Sequence, residues 1–248
     1  ELNGIFWGME NHNTGLNATL KQFENAYATN AAQATGIGNG PATSLQAYYG
    51  DKNFFLTAGV ALPSQNGEGI DAGGSLLPFW RISYDLPIKN WNFMIGAYGF
   101  RGDVKASDQS FNGLGSIDGK SDLVTVHKNG YGFDLEMSGS IFDMSTMLTL
   151  NNVQKNVVDV NPLSPLTSYK LQKTDNKGTS VEFQINPTED VGLKIAYLNY
   201  INKENLATNQ KFIKNYDYDA YTFGVSYSVR QNILLSVDYS RYDAESNI

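Results

Sequence analysis

The chain contains no cysteine, and with it go disulfide frameworks, thiolate nucleophiles, cysteine-ligated zinc and covalent CxxCH haem attachment. Histidine is nearly as scarce. His12 and His127 are the 2 imidazoles in 248 residues, and neither has partners at metal-ligand spacing. Basic charge is also short: 18 Lys plus Arg stand against 25 Asp plus Glu, giving a net charge of -7 and a pI near 4.8. With no basic patch and no basic-aromatic motif, nothing here provides the electrostatic footprint of a nucleic-acid binder. Long apolar runs are missing too. None reaches the roughly 20 residues a membrane-spanning helix needs, which excludes a helical membrane protein but not a β-barrel. The chain opens on Glu1, with neither the charged segment nor the apolar run of a signal peptide, and reads as a processed or interior segment.

What the chain does have is alternation. Tyr221, Phe223, Val225, Tyr227 and Val229 share one phase while Thr222, Gly224, Ser226 and Ser228 share the other. After a turn at Arg230 to Asn232 the pattern resumes, with Ile233, Leu235, Val237 and Tyr239 opposite Leu234, Ser236, Asp238 and Ser240. A period of two means strands, because successive strand side chains point to opposite faces. The same sorting recurs in Trp80 to Leu86, Tyr131 to Phe142 and Val181 to Asn186.

Between these segments short turns alternate with long polar stretches. The short turns fall near Gly50 to Asn53, Pro87 to Asn90, Asp143 to Ser145, Asn186 to Asp190 and Arg230 to Asn232. The long stretches run over 11–43, 64–75, 102–122, 154–167 and 203–215. The count of strands is about eleven, starting at Leu2 to Glu10, and no proline-rich, serine-rich or charged linker divides the chain into domains. Within the longest loop Leu16, Leu20, Phe23 and Tyr27 recur at helical spacing behind Asn13 or Thr14 as N-cap. Residues 14–36 are therefore a loop insert with a helical pattern, read as a surface helix in preference to a plug in a pore.

Alternating faces suit a soluble sandwich, where apolar faces meet in a core, as well as a membrane barrel, where they meet lipid. The short-long loop rhythm favours a meander. So do strands of bilayer-crossing length and aromatic residues near strand ends, such as Trp80, Trp91, Tyr48, Tyr49, Phe54, Phe55, Tyr216 and Tyr218. Through this pattern, and through no specific motif, the chain resembles the outer-membrane β-barrels of Gram-negative bacteria, and within them the porin-like class. The resemblance implies an all-β, transmembrane, antiparallel up-and-down barrel of about 12 or more strands, with short turns at one end and long loops at the other. It implies one domain over 1–248 that lacks at least one strand, because a closed bacterial barrel has an even number and this chain does not end in an aromatic residue.

If the polar phase faces a lumen, its charged lining is Arg81, Asp85, Asp134, Glu136, Glu182, Lys194 and Asp238. Carboxylates dominate this set, so the expected activity is passive diffusion of small hydrophilic solutes or ions with a mild cation preference. The expected partners are the lipid bilayer, the solutes, and a homo-oligomer or outer-membrane protein partner; no cofactor or metal is called for. A second reading is a barrel that scaffolds or sheaths a partner such as a multihaem cytochrome. The chain is expected not to be an enzyme, since neither histidine has a recognisable nucleophile setting. The RGD tripeptide at Arg101 to Asp103 and the alternating carboxylates of NYDYD at Asn215 to Asp219 fall short of an adhesive turn and a calcium loop. The glycine-rich GIGNGP and GEGIDAGG segments read as loops, not as phosphate-binding turns.

Overall fold

The computed structural model describes residues 31–35, 42–63, 76–107, 123–159, 170–207, 212–230 and 233–247. They comprise a short helix α1 (Ala31–Thr35) and ten strands: β1 (Ala42–Gly50), β2 (Phe54–Pro63), β3 (Leu77–Ile88), β4 (Trp91–Ser107), β5 (Leu123–Ile141), β6 (Met144–Asp159), β7 (Lys170–Asn186), β8 (Val191–Ala207), β9 (Phe212–Arg230) and β10 (Ile233–Asn247). Every strand pairs antiparallel with its sequence neighbour, so the strands form one up-and-down sheet in chain order. β1 and β10 are its edges, and no pairing between them closes the sheet among the described residues. The expected strand at Leu2 to Glu10 and residues 14–30 of the insert lie outside the described residues.

The short turns fall where the alternation breaks. Ile141 pairs with Met144 across Phe142 and Asp143, both with positive φ (51° and 62°), the two-residue geometry whose twist matches that of the flanking strands. The strands are longer than expected. β5 and β9 have 19 residues each, and β4, β6, β8 and β9 run on into stretches read above as long loops. There both faces become polar, as in Gln154, Lys155 and Asn156 of β6, so alternation fades while backbone pairing continues. Pro78 and Pro87 in β3 each stand where just one neighbour pairs, Val60 of β2 and Asn92 of β4, which is how a strand tolerates a missing N–H.

The two faces of the sheet decide between sandwich and barrel packing. Among the described residues no second sheet covers the apolar face: Ile82 is 38% exposed, Phe223 50% and Val237 74%. The polar face is the enclosed one, with Arg81 at 1% and Asp134 at 0%. A sandwich would bury the first set and wet the second. The distribution is inverted, as a sheet with lipid on its outer side requires.

Candidate functional site

All seven charged residues expected to line a lumen lie on the enclosed face. Strand parity places Arg81 and Asp85 (β3) beside Thr57 and Met94, Asp134 and Glu136 (β5) beside Asn151 and Thr149, and Glu182 (β7) between Thr149 and Ala196. Lys194 of β8 and Asp238 of β10 flank Gly224 of β9. Four of the seven meet in two ion pairs. Arg81 Nη1 donates to Asp134 Oδ2 at 2.6 Å and Nη2 to Oδ1 at 3.3 Å; Lys194 Nζ donates to Asp238 Oδ2 at 3.2 Å. Asp85, Glu136 and Glu182 lie outside these two pairs, so the face keeps an excess of carboxylate.

Both pairs are built the same way. Cation and anion sit two strands apart, and the strand between them carries glycine at the crossing point. A Cβ on Gly96 would run into the Asp134 carboxylate, with Cγ at 2.7 Å, and one on Gly224 into the Asp238 carboxylate, with Lys194 Cε at 2.9 Å. Tyr98 completes the first pair, its ring lying over Gly132 and the Arg81 guanidinium 5.5 Å from its centroid. Beside the second pair the Thr222 and Ser240 hydroxyls bond at 2.9 Å.

Sequence reasoning missed three features of this face. The first is an apolar patch, Val153, Leu198, Tyr200, Tyr218 and Ala220, buried against the polar phase of β6, β8 and β9. α1 lies against its β6 and β8 part, beside β7. Ala31 is fully buried above Gly178, its Cα 3.0 Å from where a Cβ would stand, and its N–H donates to Ser180 Oγ at 3.1 Å. The described end of the insert, Ala31–Thr35, therefore packs on the enclosed face; the helix expected over Leu16 to Tyr27 lies outside the described residues. The signal was present in Leu198 and Tyr200, which interrupt a polar phase. The second feature is the pair of glycines at the crossings, invisible without strand register. The third is a change of sign toward the long-loop end, where Lys128 and Lys155 follow Asp134 along the same face. RGD proves to be ordinary strand: Arg101 to Asp103 lie in β4, and Asp103 Oδ1 is held 2.6 Å from His127 Nδ1 on the outward face.

This arrangement, a long antiparallel meander with an exposed apolar face and an enclosed charged one, is the fold of outer-membrane β-barrel proteins. Among solved structures it is similar to OmpT, an outer membrane protein of Vibrio cholerae, folded in vitro (11% identity, TM-score 0.50, covering 81% of this chain and 53% of that one). It is also similar to a loop L8 deletion mutant of OmpT (12% identity, TM-score 0.53, covering 98% of this chain and 66% of that one). The chain thus spans between about half and two thirds of the length of the structures it matches. No protein-family model matches the sequence, and no curated protein matches it. The expected outer-membrane location, in contact with the lipid bilayer, agrees with this fold and with the exposed apolar face.

One expectation is corrected. The chain was expected not to be an enzyme because its histidines lack a nucleophile setting, but the fold it shares with OmpT does not decide enzyme status either way. Catalysis on a barrel depends on a few grafted side chains, not on the strands that carry them. The expectation is withdrawn.

Proposed function

We propose that this chain forms a porin-like outer-membrane barrel, of more strands than the ten described, through which small hydrophilic solutes or ions diffuse passively. The observation that carries the reading is the inverted distribution of the two faces: charge and hydroxyls on the enclosed side, apolar residues on the exposed one. Charge turned outward would cost roughly 2 to 4 kcal/mol for each Arg or Lys at mid-membrane. Turned inward it borders water. Two buried acceptors of the enclosed face, Asn151 Oδ1 and Asn176 Oδ1, have no hydrogen-bond partner among the described residues and fit a hydrated lumen. The proposed lining is Arg81, Asp85, Asp134, Glu136, Glu182, Lys194 and Asp238. With carboxylates in excess it favours cations, and α1 narrows the passage along β6, β7 and β8.

Single-channel current across a planar bilayer, recorded after adding the folded full chain, tests this. Discrete and stable conductance steps support the channel. Silence from protein shown to be inserted, by protease protection of its strands, sinks it and turns attention to a sheath around a partner.

A further inference from the structure

The exposed face is not uniformly smooth. Across β3, β4 and β5 the outward residues Trp80, Gly99 and Tyr131 stand side by side in register. Gly99 lowers the centre of this row: a Cβ there would come 3.1 Å from Gly130 O and 3.3 Å from Trp80 Nε1. The result is a groove of about 410 Å³ with aromatic walls and a backbone floor. Its upper rim is polar, formed by Arg101, Asn129 and Asn156, one outward position nearer the long loops. Apolar below and cationic above is the profile of an interfacial site, with Trp and Tyr at headgroup level.

The charge on this rim is available. Arg101 is exposed and makes no ion pair among the described residues. The two nearest outward carboxylates are otherwise engaged: Asp103 lies 2.6 Å from His127 Nδ1, and Asp175 stands opposite Lys203 and beside Asn156, whose amide, in the orientation that satisfies it, donates to Asp175 at 2.6 Å. Tyr131 keeps its wall upright by donating its hydroxyl to Gln154 Oε1 at 2.5 Å.

We infer that this groove is a binding site for a phosphorylated lipid of the surrounding bilayer, the acyl chain lying over Gly99 between Trp80 and Tyr131 and the phosphate meeting Arg101, with the Asn129 and Asn156 amides beside it. Apolar contact alone would accept any lipid chain. The unpaired guanidinium on the rim selects an anionic head, and it matches phosphate in geometry as well as charge. The site depends on the bilayer placement of this face and not on conduction through the other, so a silent channel would leave it standing.

Native mass spectrometry of the folded full chain, released from micelles doped with dioleoyl phosphatidic acid, dioleoylglycerol or inorganic phosphate, tests the assignment. The unmodified chain should retain one phosphatidic acid and little dioleoylglycerol. Arg101→Gln should lower that retention about tenfold, the loss expected for a charge-assisted bond, with Arg101→Lys partly restoring it. Arg230→Gln, an exposed cation at the short-turn end of β9 and away from the groove, should change nothing. Equal retention by Arg101→Gln overturns the site, as does equal retention of dioleoylglycerol. Displacement of the lipid by inorganic phosphate at matched concentration overturns it as well, since that behaviour belongs to a bare anion site. Folding of each variant is checked by its unheated migration in a denaturing gel, which an exposed substitution should leave unchanged.

Discussion

The two ion pairs of the enclosed face share a plan and differ in nearly everything else. At Arg81 and Asp134 a bidentate guanidinium closes on a carboxylate under Tyr98, with side-chain exposures of 2% and 0%. At Lys194 and Asp238 one ammonium reaches one oxygen at 3.2 Å, with exposures of 13% and 7%. Arg81 is followed on β3 by polar Ser83 and preceded by Phe79, which with Tyr98 and Phe100 packs that side of the sheet with rings. The Lys194 side has Ser226, Thr222 and Ser240 around it instead. One plan thus yields a sealed brace and a looser, wetter contact, and the difference lies in the donor's geometry and in what covers it.

The largest expected consequence is in stability. Removing one partner of a buried pair strands the other charge, at a cost of about 3 to 5 kcal/mol, so Arg81→Met should lower the urea-unfolding free energy by that much. Lys194→Met should cost under about 2 kcal/mol, because its bond to Asp238 is long and keeps some water access. Equal losses would break the comparison. The double variant Arg81→Met with Asp134→Leu should recover most of the first loss, since an apolar pair of similar volume fills the site without a stranded charge.

A smaller effect should follow from the glycines at the crossings. Gly96→Ala pushes a methyl into a carboxylate that Arg81 grips with two bonds, and overpacking of this kind costs about 1 to 3 kcal/mol. At Gly224→Ala the methyl meets the Asp238 carboxylate, which one bond holds, and then the flexible Lys194 stem, so the loss should fall in the lower part of that range, about 1 kcal/mol. The same chemical denaturation measures both. A larger loss at Gly224 would show that the looser pair is the more rigid one.

Much of this was legible in the chain. The period of two gave the strands and their faces, and the expense of charge against lipid made the polar phase of Arg81, Asp134, Glu182 and Asp238 a consistent set. The pairing was not legible, because Arg81 reaches Asp134 across β4 and the register of three strands must be known before Gly96 falls between them. Nor was the packing of α1, since Leu198 and Tyr200 look like ordinary strand residues until something is placed over them. Strand ends were misjudged where both faces turn polar and backbone pairing alone carries the strand, as at Gln154 to Asn156 of β6.

The face assignment itself can be checked along β10, where the sheet is least covered. Cysteine placed at Asp238 should react with a charged, water-soluble thiol reagent in reconstituted bilayers, while cysteine at Val237, 74% exposed but turned to lipid, should not. The native chain has no cysteine to confuse the reading. The reverse pattern would put water on the apolar face and end the membrane reading altogether.

The smallest expected effect is the one that separates the two pairs by function. Asp134 is held by two bonds and has no exposed surface, so Asp134→Asn should weaken folding while leaving the reversal potential under a salt gradient where it was. Asp238 keeps some exposure and one bond, so Asp238→Asn should leave stability nearly intact and shift the reversal potential toward lower cation preference. Glu136→Gln should act in the same direction as Asp238→Asn, because Glu136 lies on the same face outside both pairs. Measured on one set of bilayers, these three variants distinguish a carboxylate that braces the wall from carboxylates that meet passing ions. A shift from Asp134→Asn equal to that from Asp238→Asn would mean that burial in the wall does not remove a charge from the path, and the division between brace and lining would have to be given up.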